Sequence, residues 1–170
     1  MNWFGDKKKT TVIQPESSKS IAPAKALFIS DYLNENRIGF FTKEHTGRHI
    51  FEKLIGSLAF ADQKSAVEAI QAREAAGPTV IAPGIAMPHA RMDGLSTIEA
   101  AFGIHNDDGA ASDAARLYLL FLGPKKNMKL HLDFLASASS LFMSEGLCEN
   151  LLQTRTPDAV MSHIRAAEKR

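Results

Sequence analysis

Residues 117–124 read Leu117-Tyr118-Leu119-Leu120-Phe121-Leu122-Gly123-Pro124. A strand with one face in water alternates apolar and polar residues. A strand covered on both faces reads as an unbroken apolar run. Leu117–Leu122 is such a run, and Gly123-Pro124 reads as its end. Helices on both faces of a sheet would explain it.

Toward the N-terminus, a polar loop (HNDDGAASD, residues 105–113) precedes the run. Short extended pieces lie before it, at Ile98–Ile104, Ile85–Met87 and Thr79–Ile81. Gly77-Pro78 stops a helix over Lys64–Ala76 that turns Val67 and Ile70 inward. An earlier amphipathic helix carries Ile50, Phe51, Leu54, Ile55 and Leu58 at helical spacing, with Thr46 as its N-cap. Ile38, Phe40 and Phe41 mark a first strand. Toward the C-terminus, Leu130, Phe134, Leu135, Ala138, Leu141 and Phe142 mark another helix. Leu147–Gln153 and Pro157–Ala167 follow, the last opened by Thr156 as N-cap and Pro157 as N1. The order is strand, two helices, several strands, then helices. It predicts an α/β fold: a single layered domain with a mixed β-sheet covered by helices on both faces.

Residues 1–26 hold Lys7, Lys8 and Lys9, a Ser/Pro-rich middle and few large apolar side chains. They are expected to form a flexible N-terminal arm ahead of a domain over residues 27–170. The chain is 45% hydrophobic and 23% charged, enough for a core, and its net charge of +1 offers no nucleic-acid footprint. One cysteine, Cys148, excludes an internal disulfide and argues against a thiolate metal site. No apolar run reaches the roughly 18 residues of a membrane span. The expected location is cytoplasmic, and the chain is not expected to be membrane-embedded.

Of the six histidines, His89 has the most unusual setting, TVIAPGIAMPHARMDG over residues 79–94. Pro88 fixes its own backbone and extends Met87, while Gly84 and Ala86 leave little bulk. A histidine so presented can be approached closely. A structural turn with an incidental surface histidine fits the fragment equally well. His131 begins a helix beside the apolar stripe and, taken alone, reads as a surface residue. Arg73, at a helix end, reads alone as a partner of the last carbonyls or of solvent. Together the three form a chemical set. A neutral imidazole is a nucleophile near pH 6.5. Phosphoryl transfer asks for positioning and for stabilisation of the equatorial oxygens, and guanidinium donors suit phosphate. A second imidazole can bond the phosphoryl oxygens or orient the first. Neither a P-loop nor a kinase signature is present, so no nucleotide cofactor is expected. A metal hydrolase using His89, His105 and His131 lacks carboxylate or cysteine ligands. His45 and His49 lack a third ligand, and Asp107-Asp108-Gly109 lacks the rest of a calcium loop.

The set resembles the fructose/mannitol-type Enzyme IIA family of the bacterial sugar phosphotransferase system, including its nitrogen-regulatory branch. The resemblance rests on Arg73-Glu74 and Thr79, then on Gly84-Ile85-Ala86-Met87-Pro88-His89. His131-Leu132 with Leu135 completes it, and the resemblance covers roughly Leu27 to Ala167. It implies phosphorylation of His89, with His131 and Arg73 completing the catalytic site and no metal or other cofactor. The implied partners are a phosphohistidine carrier protein (HPr-like) as donor and an Enzyme IIB as acceptor. For the regulatory branch, a regulatory target protein controlled by phosphorylation state takes the acceptor's place. The sequence departs from the family at Pro78, at Ala82-Pro83 and at Met87. The prolines stiffen the loop and remove no reacting group.

Overall fold

The computed structural model describes residues 27–106 and 115–168. The expected arm over residues 1–26 and the Asp107-Asp108-Gly109 loop lie outside the described residues. In chain order the elements are β1 (Ile38–Phe41), α1 (Gly47–Gly56), α2 (Gln63–Ala75), β2 (Val80–Ala82), β3 (Ile85–Ala86), β4 (His89–Met92), β5 (Glu99–His105), β6 (Leu117–Pro124), α3 (Met128–Phe142), α4 (Leu147–Gln153) and α5 (Pro157–Glu168). Two short 3-10 turns, Ile29–Tyr32 and Glu35–Arg37, precede β1.

Three helix starts follow from local side chains, while Thr46, at the N-cap position of α1, makes no side-chain cap bond. Asp62 accepts a bond from the Ser65 amide at 3.1 Å, Asn127 from that of Leu130 at 3.0 Å, and Thr156 from that of Ala159 at 3.4 Å. Each occupies one of the amides a helix N-terminus leaves unpaired.

The sheet is mixed, in the order β1-β5-β6-β3-β2, with β4 also paired to β6. β6 is its centre. Along one side it runs antiparallel to β5, from Glu99 opposite Leu122 to Ile104 opposite Leu117. Along the other side two short parallel strands share it in series. β3 lies beside Leu117 and Tyr118, and β4 lies beside Phe121 through Pro124. Side chains of β6 alternate between two cores. Leu117, Leu119 and Phe121 join Phe134, Ala138 and Phe142 of α3 and Val160 and Ile164 of α5. Leu120 and Leu122 join Ile50, Leu54 and Ile55 of α1 and Ala66 and Ile70 of α2. Leu119 through Leu122 are fully buried, each contributing on the order of 1.5–3 kcal/mol. Helices on both faces therefore explain the apolar run.

The structure corrects the sequence reading in three places. Gly123-Pro124 does not end β6: both residues pair with β4, opposite Arg91 and Met92. Pro124 is tolerated as the last residue of the strand. Thr79 lies just before β2, which reaches Ala82 instead. Residues 89–92, to which the sequence reading gives no element, form a strand.

Candidate active site

His89 is the first residue of β4, and the preceding ten residues fix where it stands. Pro83-Gly84 reverses the chain between β2 and β3, with Gly84 at φ 78°, a left-handed value that glycine adopts without steric strain. Pro88 separates β3 from β4, and its carbonyl accepts the Phe121 amide at 3.0 Å. His89 is thereby set opposite Phe121. The two rings stack, with centroids 5.2 Å apart and 16° between planes. His89 Nδ1 lies 2.8 Å from the Met87 carbonyl oxygen. A carbonyl only accepts, so Nδ1 carries the proton and Nε2 keeps its lone pair. Burial holds the His89 pKa below the ordinary histidine value; the Arg73 charge adds to this, while the Met87 bond and Glu74 oppose it.

His131 was expected beside the apolar stripe of its helix. It lies on the buried face of α3 with Phe134, Ala138 and Leu141, and is 6% exposed. The reason is on the sheet. Gly123 leaves a notch that the imidazole fills: a Cβ on Gly123 would stand 2.5 Å from His131 Nδ1. The ring centroid is 5.3 Å from that of His89 and 5.2 Å from that of Phe121. Nδ1 is buried and has no hydrogen-bond partner among the described residues. Burial first, then the neighbouring His89 and Arg91, push the His131 pKa down to about 4. The ring is neutral at pH 7.

Arg73 stands in the last turn of α2. Its Nη1 donates to the Gly77 carbonyl at 2.8 Å, the role expected of an arginine at a helix end. The same side chain lines a cleft of about 460 Å³ with His89 and His131. The neighbouring Glu74 ties α2 to the strands. Its carboxylate accepts from the Thr79 hydroxyl and, at 3.4 Å, from the Thr79 amide. The Thr79 carbonyl in turn accepts the Met87 amide at 2.9 Å. A continuous set of bonds thus runs from the end of α2 to the residue that orients His89.

The other candidates stay apart. His105 ends β5, and its amide bonds the carbonyl of Arg116 at 2.7 Å, at the far end of β6 from Phe121. His45 Nδ1 accepts the Thr42 amide at 3.2 Å, and its ring packs against Phe41. Among the described residues no three His, Cys, Asp or Glu side chains are grouped to hold a metal ion.

Residues 32–167, which include Arg73, His89 and His131, match the family described as "Phosphoenolpyruvate-dependent sugar phosphotransferase system, EIIA 2". The chain belongs to that family. Among curated relatives, it is 27% identical over 149 residues to the fructose-specific EIIABC component of Bacillus subtilis, covering 83% of this chain and 24% of that protein. It therefore spans about a quarter of that relative. It is 28% identical over 124 residues to the fructose-specific EIIA component of Haloferax volcanii, covering 70% of this chain and 80% of that protein. Its fold is that of nitrogen regulatory protein IIA-Ntr from Neisseria meningitidis, with a TM-score of 0.67, 21% identity, and 80% and 98% of the two chains covered. The mannitol IIA of Escherichia coli, solved in complex with phosphorylated enzyme IIB, gives a TM-score of 0.62 at 20% identity, covering 79% and 97%. Among the described residues no helix is long and apolar enough to cross a membrane.

The cleft of this EIIA 2 domain also holds residues that sequence reasoning missed. Arg91 and Lys125 line it, the buried Phe121 ring backs His89, and Gly123 makes room for His131. Arg91 was legible in principle. It is two residues after His89, hence on the same face once residues 89–92 are read as a strand.

Proposed function

We propose that the protein is a cytoplasmic phosphoryl relay: His89 takes a phosphoryl group from a phosphohistidine carrier protein (HPr-like) and passes it to an Enzyme IIB. The observation that carries this reading is the bond from His89 Nδ1 to Met87, which leaves Nε2 as the reactive nitrogen beside His131 and Arg73. The Nε2 lone pair forms a nitrogen–phosphorus bond as the bond to the donor's imidazole breaks, and that electron pair returns to the donor nitrogen. The Nδ1 proton of His89 stays on the ring, so the phosphorylated ring is an imidazolium, steadied by the Met87 carbonyl. Arg73 stabilises the transferring oxygens. Because Nδ1 of His131 has no acceptor, its single proton is best placed on Nε2, where it can be donated to the phosphoryl group. Exposed Val80, Met128 and Leu132 give the surroundings of the cleft an apolar character suited to a protein partner.

The test is incubation with a separately charged carrier and mass mapping of the product. One acid-labile, alkali-stable phosphoryl group on His89 is expected, with none on His89→Ala. Equal loading of the variant would overturn the assignment. Transfer should also survive EDTA once the carrier is charged. A second reading, control of a target protein by phosphorylation state, draws on the fold shared with IIA-Ntr. Onward transfer to an Enzyme IIB separates the two: the relay requires it.

A further inference from the structure

The cleft is lined by three basic side chains, Arg73, Arg91 and Lys125, and they are not equally committed. Lys125 Nζ is paired with Asp93 at 3.0 Å. Arg73 holds the Gly77 carbonyl. Arg91 Nη1 lies 3.6 Å from the Met128 sulfur, and no carboxylate pairs with Arg91 among the described residues. A thioether is a weak acceptor. An exposed guanidinium resting on one is available for a stronger anion.

Its position is set by the strand. Ala90 packs into the α1–α2 core, so His89 and Arg91 share the opposite face, toward α3. The register places His89 opposite Phe121 and Arg91 opposite Gly123. His131 fills the notch at Gly123, and both His89 and Arg91 act on it electrostatically. Arg91 therefore lies two residues along the same strand face from His89 and acts on His131 from the α3 side, while Arg73 comes from α2.

We propose that Arg91 is a second phosphate-binding residue, contacting the phosphoryl oxygens carried on His89 from the side Arg73 does not cover. The proposal rests on the relay reading. It gives the transferring group two guanidiniums from two separate elements, with His131 between His89 and Arg91. When the phosphoryl group arrives, Arg91 exchanges the Met128 sulfur for an anionic oxygen, and no bond is made or broken beyond those of the transfer itself.

The experiment compares wild type, Arg91→Gln and Arg91→Lys on the full chain, with carrier-driven loading, onward transfer and phosphorus NMR of the loaded protein. Arg91 is exposed, so its replacement leaves the fold intact. Arg91→Gln should still load one phosphoryl group on His89, with a maximal transfer rate about tenfold or more lower. Its phosphorus resonance should titrate at higher pH than in wild type, because a cation beside a phosphoryl group favours the dianion. Arg91→Lys should recover part of both. If Arg91→Gln transfers at the wild-type maximal rate with an unchanged titration, the role is refuted. A change confined to the half-saturating partner concentration would mean that Arg91 reads the partner instead, and also refutes it. A wild-type chain that takes up no phosphoryl group would sink the relay reading itself, an outcome distinct from both.

Discussion

At Gly123 the absent side chain is occupied by another residue: His131 fills the space a methyl group would need. Gly123→Ala should therefore push His131 out of place, cost roughly 1–3 kcal/mol as overpacked sites do, and slow phosphoryl transfer. The check is a double-mutant cycle with His131→Ala, read by urea denaturation. Once the ring is gone the added methyl should cost little, so the two changes should be strongly non-additive. Additive effects would show that the notch does not hold the imidazole. The same contact explains what the sequence could and could not tell about the site. Arg73, His89 and His131 were singled out as a set, by a chemistry that neither Arg73 nor His131 suggests alone and by the resemblance to a family. The burial of His131 was not legible, because helical periodicity in α3 reports nothing about a glycine on the facing sheet. Arg91 was missed for a related reason: its direction depends on a strand pairing that the segment around Pro88 concealed.

Elements as short as β3 and β4 lie below what alternation can reveal. β3 has 2 residues and β4 has 4, and they are strands because of their neighbours: β6 and β2 for β3, β6 for β4. By contrast, α1, α3 and β6 were readable from periodicity or from an apolar run long enough to count, and α2 from the Gly77-Pro78 that stops it. The 3-10 turn over Ile29–Tyr32 was also hidden. Its first amides are held by the Glu168 carboxylate at the end of α5, a partner far along the chain. The junction between α2 and β2 offers a test at this scale. Thr79→Val keeps the volume of a buried side chain but removes the hydroxyl donated to Glu74. Leaving that carboxylate short of a donor should cost roughly 1–3 kcal/mol. It should also slow transfer, because Arg73 is the preceding residue on the same helix turn. Thermal melting and a transfer assay on the same variant decide the matter. A lowered Tm with wild-type transfer would mean that the tie supports the fold alone.

For the molecule as a whole, the buried imidazoles make stability depend on pH. His131 has a folded pKa of about 4 against 6.5 for the free side chain. Above the unfolded value neither state binds the proton, so the group makes no difference there. Below it the unfolded chain is protonated and the folded one resists, so stability falls as pH drops from about 6.5 to about 4, and then levels off. The loss is on the order of 3 kcal/mol, and His89, shifted the same way, adds to it. Denaturation midpoints at pH 7 and pH 5 should diverge clearly for wild type and less for His131→Gln. Parallel curves for the two proteins would place the responsible group elsewhere. A different consequence follows from the way β6 is shared in series by β3 and β4, and it concerns time. Parallel neighbours cannot be joined by a tight hairpin, so these pairings close long stretches of chain, and contacts of that kind form slowly. Helices α1 and α3 can appear from local contacts, yet Arg73, His89 and His131 meet only after β6 has docked against β4. During refolding from urea, helical circular dichroism should recover ahead of the capacity to accept a phosphoryl group, sampled by brief exposure to charged carrier. Phosphoryl acceptance would then serve as a clock for the last strand to find its place.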